Sequence, residues 1–220
     1  MVFLLVLLGW LFSLTLHEYA HARVAYAGGD YGVKEKGYLS FNPIRYMDPV
    51  MSVIIPLVVM LLGGIALPGG LVYVRHDLLR GPGWSAAVSI AGPAANALCA
   101  VACAAPFALG VAPESAIGAS PVWIAIGYLA YLQVMAVVLN LLPIPSFDGF
   151  GVIEPFLPRE LRRALFPIRR YGFIAVLLLL FFVQPVGDAI FGLVRSVTEG
   201  LGVPIGFVRE GQHALKTFGR

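Results

Sequence analysis

Apolar residues run in long, nearly charge-free blocks along this chain, and short polar segments separate them. Five such stretches stand out: Val2–Leu16 continuing to Ala27, Pro49–Val74, Gly81–Pro113, Ser115–Phe147 and Tyr171–Gly187. A helix needs about 20 residues to cross the hydrocarbon of a bilayer, and each stretch is long enough or nearly so. The last overlaps a further run, Val186–Val194, interrupted by Asp188, and Pro185 either bends one long helix there or separates two shorter ones. The pattern predicts an all-α polytopic membrane protein with about five to six transmembrane helices. No internal repeat or low-complexity segment interrupts it. Residues 1–203 read as one membrane-embedded domain and residues 204–220 as an amphipathic C-terminal tail at the interface.

Composition agrees with the pattern. Of 220 residues, 59% are apolar and 12% are charged, against about 25% charged in soluble domains. The pI near 9.0 does not point to nucleic acid, because the basic residues lie in short segments between apolar runs rather than among aromatics on a polar surface. They act as topology signals. Lys34, Lys36 and Arg45 lie in segment 28–48, Arg75 and Arg80 in 75–80, and Arg159, Arg162, Arg163, Arg169 and Arg170 in 143–170, whereas 106–120 has only Glu114. Short positive segments stay in the cytoplasm, so the first three are placed inside and 106–120 outside. With both its flanks inside, Pro49–Val74 must enter and return. Pro56, Gly63, Gly64, Pro68, Gly69 and Gly70 suit such a re-entrant hairpin, whose irregular backbone needs protein or water around it. Residues 31–41, Gly-punctuated and aromatic, read either as a small β-hairpin near the cytoplasmic face whose edge could pair with an extended substrate or as an ordinary connecting loop. Cys99 and Cys103 read as small buried apolar residues.

The chemistry is concentrated at residues 17–21, His-Glu-Tyr-Ala-His, which follow a charge-free run from Val2 to Leu16. A charge in hydrocarbon costs roughly 2.5–3.5 kcal/mol on insertion scales, so ionisable groups here imply function. Four-residue spacing puts His17 and His21 on one helix face with Glu18 beside them. That arrangement suits two imidazoles on a zinc ion and a carboxylate that takes a proton from metal-bound water. A third ligand is needed. His76 sits between Arg75 and Asp77 in a charged segment and reads as a surface histidine; His213, Glu154 and Asp188 have no local signature. Asp148 differs, because it ends the sequence Asn140-Leu-Leu-Pro-Ile-Pro-Ser-Phe-Asp148-Gly149 at the inner end of the fourth apolar run. Pro143 and Pro145 stop the helix there, and Gly149 permits a turn.

Together, HEYAH and NLLPIPSFDG resemble the site-2 protease family of intramembrane zinc metalloproteases. Gly92-Pro93-Ala94-Ala95-Asn96 is similar to that family's GPxxN element, and Asn42-Pro43-Ile44-Arg45-Tyr46-Met47-Asp48-Pro49 to the NPxxHxDP element of its minimal prokaryotic branch without PDZ or CBS domains. The resemblance covers roughly residues 10 to 150, and Tyr46 departs from it by standing where that branch has histidine. It implies that His17, His21 and Asp148 hold Zn²⁺ and that Glu18 is the general base. Asn140 or Asn96 would stabilise the oxyanion or orient the substrate strand, and Asn140 is favoured by its position on the element of Asp148. A stripe of Ser85, Ser89, Gly92, Asn96 and Ala100 suits close helix packing, where Asn96 would make a helix–helix hydrogen bond. The expected partner is a transmembrane protein substrate in the lipid bilayer, unwound to present a peptide bond. The expected location is a cell inner membrane with the active site toward the cytoplasm. A catalytically inactive helix-binding or metal-transport protein of the same fold is the competing reading. It predicts loss of the base or a ligand, and the sequence retains all four residues.

Overall fold

In the computed structural model, residues 1–42 and 72–218 are described. Three helices among them are long and apolar enough to cross a membrane: α1 (Val2–Gly28), α3 (Pro82–Ala108) and α4 (Pro121–Asn140). A short helix, α2 (Gly32–Glu35), follows α1. At 1.5 Å per residue, the 27 residues of α1 and of α3 extend about 40 Å and the 20 of α4 about 30 Å. Their ends carry recognisable stops. Gly29 adopts φ 122°, a left-handed conformation favouring glycine, and returns its N–H to Tyr26. Pro82 and Pro121 open α3 and α4, where a missing N–H is harmless.

Side-chain spacing decides how these helices meet. Phe3, Val6, Trp10 and Leu14 form one face of α1 and join Tyr128, Leu132, Met135 and Leu139 of α4 in the largest buried cluster. The opposite face of α1 exposes Leu4, Leu8 and Phe12, as expected for side chains that contact lipid. Lipid tails are as apolar as leucine, so close packing rather than water exclusion holds such helices together. Small residues supply that closeness: Gly9 lies against Leu129, and Gly28 against Leu79 and Trp84.

After α4 the chain continues through α5 (Asp148–Ile153), α6 (Arg159–Leu165), α7 (Arg169–Phe182), α8 (Gln184–Gly200) and α9 (Ile205–Phe218). The break at Val183, with Pro185 in the first turn of α8, makes two helices of 14 and 17 residues where the sequence allowed one. Helix α9 packs on the bundle: Phe207 meets Gly127 and Phe107, Gly211 meets Tyr128, and Leu215 is fully buried.

The β-hairpin expected at 31–41 is not found, and no strand occurs among the described residues. Asp30 is the reason. Its buried carboxylate accepts the Gly32 N–H at 3.1 Å and the Arg75 N–H at 2.8 Å, which starts a helical turn instead of a strand. The Tyr38 N–H then returns to the Val33 carbonyl at 2.9 Å, and Val33 is fully buried against Ala22, Ala25 and Leu79. The re-entrant hairpin expected at 49–74 and the NPxxHxDP element with Tyr46 lie almost wholly outside the described residues.

Candidate metal centre and active-site cavity

Helix α1 carries His17 and His21 on the face turned toward α3, and both are buried along with Glu18. Their Nε2 atoms face each other at 3.0 Å. Asp148 reaches the same point from the first turn of α5, with Oδ2 3.3 Å from His17 Nε2 and Oδ1 3.5 Å from His21 Nε2. The approach to Asp148 is built by the segment before it. Pro143 and Pro145 end α4, and Ser146 turns the chain at φ 103°, a strained value for a non-glycine residue. Its hydroxyl is tied to the Arg169 carbonyl at the start of α7.

The donor set fits a tetrahedral metal. Bonds of about 2.0–2.1 Å at tetrahedral angles separate ligand atoms by roughly 3.3 Å. The three observed separations, 3.0, 3.3 and 3.5 Å, straddle that value. His21 Nδ1 lies 2.6 Å from the Val88 carbonyl, which can only accept, so Nδ1 carries the hydrogen and Nε2 offers a lone pair. Asp148 Oδ2 is buried without a hydrogen-bond partner among the described residues. Among the described residues, these three side chains are the group able to hold a metal ion.

Helix α3 backs the centre closely. A Cβ built on Gly92 would lie within 2.5 Å of both Nε2 atoms, so the absence of a side chain there leaves the donors their space. Next to it, Pro93 removes one α3 backbone hydrogen bond. Asn96, one helical turn on, meets His17 Nδ1 through Oδ1 at 2.5 Å and donates to Gln133 of α4 at 2.7 Å. Both ends of its amide are committed, as a residue joining helices requires.

A cavity of about 250 Å³ opens beside these residues, lined by His17, Glu18, His21, Asp148, Asn140, His76, Trp10 and Phe173 among others. Glu18 Oε2 accepts the Val72 N–H at 3.1 Å, which fixes the carboxylate on the cavity wall. Asn140, buried at the end of α4, shares the cavity. So does His76, which is an exposed residue as expected but whose ring edges the cavity. Its Nδ1 lies 2.6 Å from Ser85 Oγ, and partial desolvation pushes its pKa below the ordinary histidine value. Its neighbours Arg75 and Asp77 pair with each other on the surface. Of the other candidates, Glu154 is paired with Arg169, and neither His213 nor Asp188 joins the donor group.

Known proteins align with this chain over most of its length. It is 46% identical to a protein of Mycolicibacterium smegmatis named as a zinc metalloprotease, Rip2, over 180 residues, or 81% of this chain and 67% of that protein. The Rip2 of Mycobacterium tuberculosis is 41% identical over 202 residues, 92% of this chain and 76% of its own. A protein of Bacillus subtilis named as a zinc metalloprotease, YwhC, is 32% identical over 189 residues, 80% of this chain and 78% of its own. No protein-family model matches the chain. No solved structure matches it either.

Proposed function

The chain belongs to the site-2 protease family of intramembrane zinc metalloproteases, and from that premise we propose that it hydrolyses a peptide bond within or beside a transmembrane segment of a protein substrate. His17, His21 and Asp148 are the zinc ligands in this reading, and Glu18 is the general base. The carrying observation is the convergence of the three donors on one buried point, with Glu18 on the wall of the same cavity.

A zinc ion held there supplies a water of lowered pKa and a Lewis acid for the scissile carbonyl. The chain's residues do the rest. The Val72 N–H engages one Glu18 oxygen and leaves the other for the water proton, which Glu18 then returns to the departing amine. Asn140 offers its amide to the substrate strand or its developing oxyanion within the same cavity. Trp10, Leu14 and Phe173 supply an apolar wall for the side chains of an unwound membrane segment. The scissile bond must be extended to enter, because a helix hides its own carbonyls.

Several features support a site toward the cytoplasm of a cell inner membrane. Arg80 binds the Ala27 carbonyl at the end of α1, six residues beyond His21, and Arg169 pairs with Glu154, six residues beyond Asp148. The α3–α4 connection at the opposite end has no Lys or Arg. Residues 1–203 form the membrane-embedded domain in this reading; the segment after it begins at the outer rim, where Gly206 lies against Ala116, and α9 then packs along α4 with Gly211 on Tyr128. Five crossings follow if α7 and α8 each count beside α1, α3 and α4 and 49–74 re-enters without crossing.

Replacing Glu18 by Gln removes the base while leaving the ligands in place. We expect cleavage of a reporter membrane segment to fall about 10²- to 10⁴-fold with zinc content unchanged. Retained zinc together with undiminished cleavage would refute the hydrolytic mechanism. The competing non-catalytic reading predicts no cleavage by the unaltered protein.

A further inference from the structure

Four buried polar groups form one line through the middle of the bundle. Ser13 Oγ lies 2.8 Å from the Trp10 carbonyl, Gln133 Nε2 2.7 Å from Ser13 Oγ, Asn96 Nδ2 2.7 Å from Gln133 Oε1, and His17 Nδ1 2.5 Å from Asn96 Oδ1. Ser13, Gln133, Asn96 and His17 are at most 6% exposed. They come from three helices, α1, α3 and α4. Groups left unsatisfied at such depth are costly, so the line is held as a unit.

Its direction is forced from one end. A carbonyl oxygen can only accept, so the Ser13 hydroxyl must donate to Trp10. Having used its hydrogen, Ser13 must accept from Gln133, which turns the Gln133 amide nitrogen toward it. Gln133 Oε1 then faces Asn96 and requires the Asn96 amide nitrogen opposite. That places Asn96 Oδ1 against His17, and an oxygen there requires hydrogen on Nδ1. With Nδ1 protonated, the neutral His17 ring presents its lone pair on Nε2, toward His21 and Asp148. If both amides flipped, NH₂ would face Nδ1, the ring hydrogen would move to Nε2, and the donor face would be blocked.

We infer that Gln133 and Ser13 are positioning residues that set the tautomer of His17, acting through Asn96 from the Trp10 carbonyl. This rests on the reading of His17 as a zinc ligand. Neither residue touches the metal position, and Gln133 lies on a helix that contributes no ligand. The fixed polarity prepares the metal-binding form of the ring before any ion arrives. A second partner of this kind commonly changes metal affinity about 10- to 100-fold.

The test uses the full chain in detergent micelles with ¹⁵N-labelled histidine rings, the His17 signals being assigned by their loss in His17→Gln. In zinc-free wild type, His17 should show a protonated Nδ1 and an unprotonated Nε2. Ser13→Ala and the near-isosteric Gln133→Met should each shift His17 toward the Nε2–H form. Each should weaken zinc roughly tenfold in chelator competition. Gln133→Met should add less than twofold in an Asn96→Ala background, because it acts only through Asn96. The inference is overturned if both variants keep the wild-type ring pattern and zinc affinity within twofold, or if the Gln133 and Asn96 effects on affinity multiply. Asp148→Ala separates the two readings, since unchanged zinc affinity there would remove the ligand assignment itself. Ser13→Ala deletes a single oxygen and keeps the test readable should Gln133→Met fail to fold.

Discussion

Gly92 bears on the metal centre through the side chain it lacks. A methyl group there would occupy the space in front of both imidazoles, and neither ring can retreat while its Nδ1 is held by Val88 or Asn96. Gly92→Ala is therefore expected to abolish stoichiometric zinc binding and cost about 1–3 kcal/mol through overpacking. Metal analysis with thermal unfolding of the purified protein checks both. His76 makes a different prediction. Its pKa lies below the ordinary histidine value of about 6.5, chiefly through desolvation, with Glu154, Asp30 and Asp77 opposing the shift and Arg169 adding to it. The unfolded chain therefore binds a proton near pH 6 that the folded one resists, so stability declines as pH falls through that range. His76→Gln should flatten this decline in thermal midpoints between pH 8 and pH 5; parallel curves would refute it. The residues proposed as donors stood out in the sequence because a charge in an apolar run is too costly to keep without a use. Ser13 and Gln133 were equally visible as polar residues in apolar runs. What they contact depends on which faces of three helices meet, and periodicity within each helix does not fix that.

At the level of elements, the paired-proline segment aims Asp148. Pro143 and Pro145 forbid continuation of α4, Ser146 is held in a strained turn, and α5 starts at Asp148, the proposed third ligand. Gly149 makes the fold-back possible, since a Cβ there would run into the carbonyls of Leu141 and Leu142. Backbone cannot yield as a flexible side chain would. Gly149→Ala should therefore displace α5, weakening zinc at least tenfold while the three long helices keep their circular-dichroism signal. A variant with normal affinity would show that the segment tolerates the shift. Sequence located this element well, because proline and glycine act locally. It failed at residues 31–41, where the aromatic and glycine pattern suited a hairpin. There a single long-range contact decided otherwise: Asp30 joins the Gly32 and Arg75 N–H groups, 45 positions apart in the case of Arg75. The break between α7 and α8 was half legible, since Pro185 marked it without choosing between a bend and a separation.

For the whole molecule, the proposed donor triad would also be a tie. His17 and His21 sit on the first helix and Asp148 follows the third long one, so a bound ion joins segments more than 120 residues apart. The unfolded chain offers no such preformed site, and binding energy becomes folding energy. Free zinc at a hundred times its dissociation constant should add about 2.7 kcal/mol, or roughly 5–10 °C in thermal midpoint for a chain of this size. Helix packing does not substitute for this tie, because the apolar cluster of α1 and α4 leaves out Asp148 and both histidines. Chelation should lower the midpoint by that amount, and zinc should restore it. Asp148→Ala should erase the response to zinc, whereas Glu18→Gln should retain it in full, since a base contributes to turnover but not to the tie. A zinc response that survives in Asp148→Ala would place the ion elsewhere. Loss of the response in Glu18→Gln would make Glu18 a ligand, and the division of labour among the four residues would have to be redrawn.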